Sequence, residues 1–298
     1  MEHGHEHPHG SGRIALTVLL NLVITLAEVI GGVVSGSMAL LSDALHNFSD
    51  VLALLISWGA RRLARERSTV QRTFGYRRAE ILAGFFNAAT LLVIALFLIA
   101  GAVRRLFHPV PVEGGPVIWL ALLSILLNGA SVLLIRRDAR HSMNMRSALL
   151  HLFTDMLTSI AVLVGGLAIR YLGWSRVDPL ITLAIALYLI RAAWQIIATA
   201  VRIFMEFTPP HVDIDRIVER MTRYSEIQGV HHLHVWQLDD HETLLEAHVD
   251  LARDIPVSRF DEILDQLEKE LNTMGITHIN IQPEYDRGHG RELIHGHP

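Results

Sequence analysis

The sequence predicts a membrane protein in two parts, an all-α bundle of six transmembrane helices followed by a small α+β domain. Hydrophobic residues make up 51% of the 298-residue chain, which is more than an ordinary soluble protein of this length carries. Six long apolar segments occupy the chain up to residue 207. After Thr208-Pro209-Pro210 the pattern changes to short amphipathic and alternating segments, which are typical of a water-soluble domain.

A polar tail comes first. Residues 1–12 are rich in glycine and histidine, and we expect them to be disordered.

The transmembrane domain then covers residues 13–207, and most of its apolar segments hold about 20 residues, the length of a helix that crosses a bilayer. We place the six spans near residues 14–34, 38–60, 79–103, 116–135, 146–170 and 178–203.

The distribution of arginine orients these spans. Seven arginines lie in the link at residues 61–78 and three in the link at residues 136–145, whereas the links on the opposite side carry two, two and none. Basic residues accumulate on the cytoplasmic side of membrane proteins. We therefore expect both arginine-rich links, and both termini, to lie in the cytoplasm.

Residues 208–284 predict the small cytoplasmic domain. We place its elements as a helix at 212–224, strands at 230–238 and 244–251, a helix at 256–274 and a strand at 276–282. The order α-β-β-α-β gives a ferredoxin- or metallochaperone-like fold, with helices on one face of a three-stranded sheet. Residues 285–298 are polar again, and we expect a second disordered tail that contains histidines.

Two pairs of ionisable side chains lie inside the apolar segments. His46 and Asp50 occur in the second segment, and His151 and Asp155 in the fifth, each pair four residues apart and therefore on one helix face. Ionisable groups within a membrane are costly and indicate function. The two segments run antiparallel, so the pairs can form a set of two nitrogens and two oxygens that suits tetrahedral Zn²⁺. The alternative is a hydrogen-bonded polar cluster without metal.

The run from Glu28 to Asp50 resembles the cation diffusion facilitator family. The matching residues are Glu28-x2-Gly31-Gly32-x2-Ser35-Gly36-Ser37-x-Ala39-Leu40-x-Ser42-Asp43-Ala44-x-His46-x3-Asp50, then Phe74-Gly75-Tyr76-x-Arg78-Ala79-Glu80, the His151-x3-Asp155 pair and Asp178-Pro179. The resemblance covers residues 13–284. It implies a homodimer in a bacterial inner membrane that exports Zn²⁺ from the cytoplasm in exchange for protons by alternating access. In this family the four intramembrane positions hold the transported ion, and histidine in the first of them is the zinc pattern.

The resemblance also assigns residues outside the transport site. His234, His248 and Glu284 match positions that bind regulatory Zn²⁺ in the cytoplasmic domain of related transporters, with His231 as an additional ligand. Arg78 and Glu206 match a pair of charges at the junction of membrane and cytoplasm, where they would form a hinge salt bridge. The resemblance places Asp43 one turn from the transport site and outside it. We expect Asp43 to act through hydrogen bonds or on the exit path, with metal entry or proton relay as the alternatives. Independently, we interpret Glu28 as a cap for the short loop at residues 35–37.

Composition excludes other classes. A net charge of −4 gives no indication of nucleic-acid binding, and the absence of cysteine excludes disulfides and thiolate ligands. The nearest alternative is the same fold with a broader Co²⁺, Ni²⁺ or Cd²⁺ range, because affinity order alone does not select zinc. A membrane zinc sensor without transport activity is a second alternative. An intramembrane zinc enzyme is a third, but none of the six apolar segments contains a His-Glu-x-x-His motif, and four protein ligands would close the site to water.

Overall fold

The structure is a computed structural model that describes residues 9–135, 143–286 and 292–294. Six long helices precede a domain of two short helices and three strands. Their bounds are α1 His9–Ser35, α2 Met38–Ala64, α3 Ala79–Phe107, α4 Gly114–Ile135, α5 Met143–Leu172, α6 Val177–Phe204, α7 Ile214–Met221, β1 Ile227–Gln237, β2 Thr243–Leu251, α8 Val257–Asn272 and β3 His278–Glu284. This order and content confirm the predicted fold class.

The long helices follow the apolar segments of the sequence. Within the described residues, α2 to α6 are each long and apolar enough to cross a membrane, and α1 contributes a shorter apolar stretch at Asn21–Ser35. Most helices extend beyond the predicted spans because arginines and other polar residues at their ends continue the helix past the apolar core. α1 begins at His9, inside the segment that the sequence predicts as a tail, whereas residues 1–8 lie outside the described part.

The chain forms two compact units. The first comprises residues 1–58 and 85–196, which include most of the length of the six long helices. The second comprises residues 59–84 and 197–298, which include the link between α2 and α3, the end of α6 and the small domain.

In the first unit, α5 packs closely along α4. A Cβ atom at Gly114 would lie 2.8 Å from the carbonyl oxygen of Gly166, so this crossing requires small residues on both helices. Van der Waals packing at such close approaches holds membrane helices together, since lipid tails are as apolar as the side chains.

In the second unit, the sheet has the order β1-β2-β3, in which β2 runs antiparallel to β1 and parallel to β3. Alternate residues of β2 are buried under α7 and α8, so the opposite face of the sheet is left for polar side chains. The fully buried core includes Ile217, Met221, Leu245, Ile263 and Leu267. Asp213 caps the start of α7, accepting a hydrogen bond from the backbone N–H of Arg216.

The predicted disordered tail at residues 285–298 needs a correction. The backbone N–H groups of His232 and Leu233 donate to the carbonyl oxygens of Glu292 and Leu293, at 3.3 and 2.9 Å, and Leu293 packs against the core of the domain. Glu292 and Leu293 are therefore bound to β1. Their carbonyl oxygens accept hydrogen bonds at the point where the pairing of β1 with β2 is irregular, and the side chain of Leu293 is apolar. The histidines of both tails, other than His9, lie outside the described residues.

Candidate metal centre

Three of the four predicted intramembrane ligands come together between α2 and α5. The Nδ1 atom of His46 lies 3.5 Å from Oδ2 of Asp50, and its Nε2 atom lies 3.6 Å from Oδ1 of Asp155. Each residue offers one ligand atom within 4.8 Å of the others. Asp155 is fully buried and His46 is 6% exposed, whereas the side chain of Asp50 is 22% exposed, so the cluster is buried on the Asp155 side and partly open at Asp50.

The distance between His46 and Asp155 is compatible with a shared metal ion. A separation of 3.6 Å is too long for an N–H···O hydrogen bond. In a tetrahedral zinc site with bonds of about 2.0–2.2 Å, neighbouring ligand atoms lie ~3.3–3.6 Å apart. The separation of His46 Nε2 from Asp155 Oδ1 is therefore close to one edge of such a tetrahedron.

His151 is the fourth predicted ligand. It lies in α5, four residues before Asp155 and therefore on the same helix face, but its side chain is outside the described residues. Its role as a ligand stays a prediction.

Asp43 is buried one turn before His46 and is held by two hydroxyls of α5. Thr158 Oγ1 donates to Asp43 Oδ1 at 2.8 Å, and Ser159 Oγ donates to Asp43 Oδ2 at 3.0 Å. The carboxylate therefore fixes α2 against α5 beside the cluster, which orients His46 and Asp155 toward each other. A relay role for Asp43 stays a prediction.

The interpretation of Glu28 as a loop cap is wrong. Glu28 is buried and accepts a hydrogen bond from Asn47 Nδ2 at 3.1 Å. The cap is instead Asp178 of α6, which accepts hydrogen bonds from the backbone N–H groups of Met38 and Ala39, at 2.9 and 3.2 Å. No local signal could reveal this, because Asp178 is far from α2 in the sequence.

A second cluster of ligand atoms lies on the polar face of the small domain. Glu284 Oε1 is 3.1 Å from His248 Nδ1, and Glu284 Oε2 is 3.3 Å from His231 Nε2. His231 is directly opposite His248 in the sheet, and Asp250 is opposite Glu284. The ligand atoms of His231, His248 and Glu284 lie within 4.8 Å of one another, an arrangement that fits one metal ion.

The structure places the four predicted ligands of this cluster unequally, and the role of His234 as a ligand stays a prediction. His231 takes the central position, whereas His234 lies opposite Glu246 and is not in the group of three. The reason is a bulge at His232, whose φ of 51° lies in the left-handed region. The extra residue puts His231 and His234 on the same face, which a regular strand would not do.

Sequence reasoning missed Asp250. Its Oδ2 atom lies 3.4 Å from His231 Nδ1. The signal was present, since Asp250 follows His248 by two residues on the same strand and must share its face.

The predicted hinge charges do form an ion pair. Arg78 Nη2 donates to Glu206 Oε1 at 2.9 Å, joining the start of α3 to the end of α6. Both side chains are partly exposed, so the pair contributes little to stability. Its role as a hinge stays a prediction.

Family comparisons cover almost the whole chain. Residues 14–205 match the model of the cation efflux transmembrane domain, and residues 209–286 match the model of the cation efflux protein cytoplasmic domain. The chain belongs to the cation efflux, or cation diffusion facilitator, family.

Several characterised members are similar to this efflux protein along most of their lengths. The cadmium, cobalt and zinc/H(+)-K(+) antiporter of Bacillus velezensis is 32% identical, over 94% of this chain and 92% of its own. The zinc transporter ZitB of Escherichia coli is 34% identical, over 98% of each chain. The metal cation efflux system protein CzcD of Cupriavidus metallidurans is 33% identical, over 95% of this chain and 89% of its own.

Proposed function

We propose that this integral membrane protein exports Zn²⁺ from the cytoplasm in exchange for protons, using His46, Asp50, His151 and Asp155 as the transport site. The observation that carries the proposal is the cluster of His46, Asp50 and Asp155, two of them buried, on apolar helices of a chain that belongs to a family of cation efflux proteins. Such groups are expensive within a membrane and mark ion pathways and other functional sites there.

Charge balance supports exchange of metal for protons. With His46 neutral and both aspartates ionised, the described trio carries two negative charges, which one divalent cation neutralises. Zinc binding requires ligands in these deprotonated forms, so protons compete for the same atoms. When the site faces an acidic exterior, protonation displaces the metal, and the protonated site returns to the cytoplasmic side without covalent chemistry.

Imidazole suits this exchange. An ordinary histidine side chain changes charge near pH ~6.5, within the range of the gradients that bacteria maintain. The carboxylates supply hard oxygen and the imidazole supplies nitrogen, a combination that favours Zn²⁺ over Ca²⁺ or Mg²⁺.

The remaining parts of the proposal concern assembly and control. We infer a homodimer in a bacterial inner membrane, with both termini in the cytoplasm, because the matched cytoplasmic domain is a dimer-forming family domain and arginine is concentrated in residues 61–78. Zinc held by His231, His248 and Glu284 would report the cytoplasmic metal level to the transport domain.

A broader substrate range is the second candidate. Similar proteins are named for zinc alone and for cadmium, cobalt and zinc together. Ligand type does not by itself reject Co²⁺ or Cd²⁺, so competition among these ions belongs in the transport test.

The test is zinc uptake into proteoliposomes with an imposed pH gradient. Wild-type protein is compared with Asp50→Asn, which keeps the size of the side chain, and with Asp261→Asn, which changes an exposed aspartate of α8. We expect uptake that follows the gradient in wild type and in Asp261→Asn and that is lost in Asp50→Asn. Zinc binding without gradient-driven uptake by the wild type would favour a sensor and contradict the proposal.

A further inference from the structure

A cavity of about 680 Å³ lies within the second unit, where the α2–α3 link meets the end of α6 and strand β1. Its volume is within the range of small-molecule pockets, about 300–1,000 Å³. Most of its lining is apolar, and the larger apolar side chains are Leu63, Phe74, Leu82, Phe204, Trp236 and Leu238. Neither cluster of metal ligands lines it.

The cavity opens to the outer surface of the protein. Phe74 and Leu82 line it and yet remain 57% and 46% exposed. Leu63, Leu82 and Phe204 belong to the ends of α2, α3 and α6, which are each long and apolar enough to cross a membrane. The opening is therefore at the depth where a bilayer ends and water begins.

One polar group at the cavity needs an acceptor. Arg78 lines the cavity, and its Nη2 atom is occupied by Glu206. Its Nε atom is buried and has no hydrogen-bond partner among the described residues. Buried donors are almost always satisfied, and a guanidinium has five N–H groups, so an added acceptor need not displace Glu206.

The charge of the surrounding link favours an anion. Residues 59–84 contain seven arginines and two glutamates, an excess of five positive charges over this short stretch. Arg77, also at the cavity, is already paired with Glu242 at 3.0 Å. Basic segments next to transmembrane helices attract anionic lipid headgroups.

We propose that this cavity binds one anionic phospholipid from the adjoining leaflet. An acyl chain fills the apolar part beside Phe74, Leu82 and Trp236, and the phosphate accepts hydrogen bonds from the Arg78 guanidinium. The lipid would brace the junction of α3 and α6 at the Arg78–Glu206 pair. The proposal does not depend on which metal the protein transports.

The experiment measures lipid retention by native mass spectrometry of the full-length protein in detergent. The protein is titrated with dioleoylphosphatidylglycerol, with dioleoylphosphatidylcholine as a neutral comparison and glycerol phosphate as a headgroup without chains. Leu82→Trp fills the cavity without changing charge, and Leu96→Trp changes an exposed leucine of α3 away from it. Arg78→Gln removes the proposed donor, and Arg65→Gln removes an equal charge from the same link outside the cavity lining.

We expect the first phosphatidylglycerol to bind about fivefold more weakly to Arg78→Gln than to wild type, the loss that one arginine contact at a membrane surface represents. Leu82→Trp should show a similar loss, whereas Leu96→Trp and Arg65→Gln should bind nearly as wild type. Equal losses for Arg65→Gln and Arg78→Gln would mean diffuse attraction and would overturn the site. Binding of glycerol phosphate as tight as that of the lipid would mean an anion site only and would overturn the lipid assignment. A change in the dimer fraction of Leu82→Trp with unaltered lipid binding would assign the cavity to contact between copies of the chain.

Discussion

Removing the carboxylate of Asp178 should loosen the start of α2 and, through it, the transport site. Asp178 is 1% exposed and accepts hydrogen bonds from the backbone N–H groups of Met38 and Ala39 and from the hydroxyl of Ser37. Arg105 Nη1 also lies 3.8 Å from it. The two backbone groups are donors that a helix cannot satisfy within its own first turn.

The expected cost of Asp178→Ala follows from those contacts. Two backbone donors at the start of α2 lose their acceptor, at about 1–3 kcal/mol each, and Ser37 Oγ still caps the N–H group of Leu40. We therefore expect a loss of about 2–6 kcal/mol, or a fall of ~4–12 °C in the unfolding midpoint. Asp178→Asn keeps one acceptor oxygen and should lose about half as much.

The assay is thermal unfolding in detergent followed by zinc uptake into proteoliposomes at a temperature where the variant remains folded. Asp261→Ala, at an exposed position of α8, is the control for loss of an aspartate. His46 lies about two turns after the capped end of α2, so the folded variant should also transport zinc more slowly. An unfolding midpoint of Asp178→Ala equal to that of the wild type would refute the capping argument. If zinc transport were slow while the midpoint was unchanged, Asp178 would have a direct role in transport instead.

Three further outcomes are expected. His46→Asp replaces a nitrogen ligand with oxygen and should broaden the substrates to include Cd²⁺; an unchanged zinc preference in competition uptake would remove the selectivity argument. His248→Gln should raise the zinc concentration for half-maximal transport and leave the maximal rate unchanged, whereas an unaltered concentration dependence would show that the small domain does not sense zinc. The ion pair with Arg259 lowers the pKa of Glu226 from 4.5 to about 2, so its stabilisation is complete above pH 4.5 and is lost as the pH falls through 2. Glu226→Gln should accordingly unfold at a lower temperature than wild type at neutral pH, with a difference that narrows as the pH falls below the ordinary glutamate pKa; a constant difference across this range would contradict the linkage.

The transmembrane part of the fold is predictable from sequence because long apolar segments and arginine-rich links carry a strong, local signal. The His-x3-Asp spacing likewise assigns His46 and Asp50 to one helix face through helical periodicity alone. The residue that caps the start of α2 cannot be identified from a local sequence pattern. Asp178 reaches Met38 across the fold, and only tertiary packing brings an acceptor from α6 to the start of α2.

The cytoplasmic cluster shows a different limit. Simple alternation assigns His231 and His234 to opposite faces of β1, and the bulge at His232 changes that assignment. A bulge depends on the pairing of two strands and on backbone strain at one residue, so a pattern along one strand does not reveal it. Asp250, in contrast, is predictable from strand alternation, since it shares the face of His248.

The central claim is that zinc and protons compete for the cluster of His46, Asp50 and Asp155. Its most direct measurement is the number of protons released when zinc binds, obtained by calorimetry in buffers of different ionisation enthalpy. The protein carries Glu284→Gln to weaken the cytoplasmic cluster, with and without Asp155→Asn. The account predicts that zinc binding at the intramembrane site releases protons, and that Asp155→Asn loses both the zinc binding and the proton release at this site. Zinc binding that depends on Asp155 but releases no protons would contradict it.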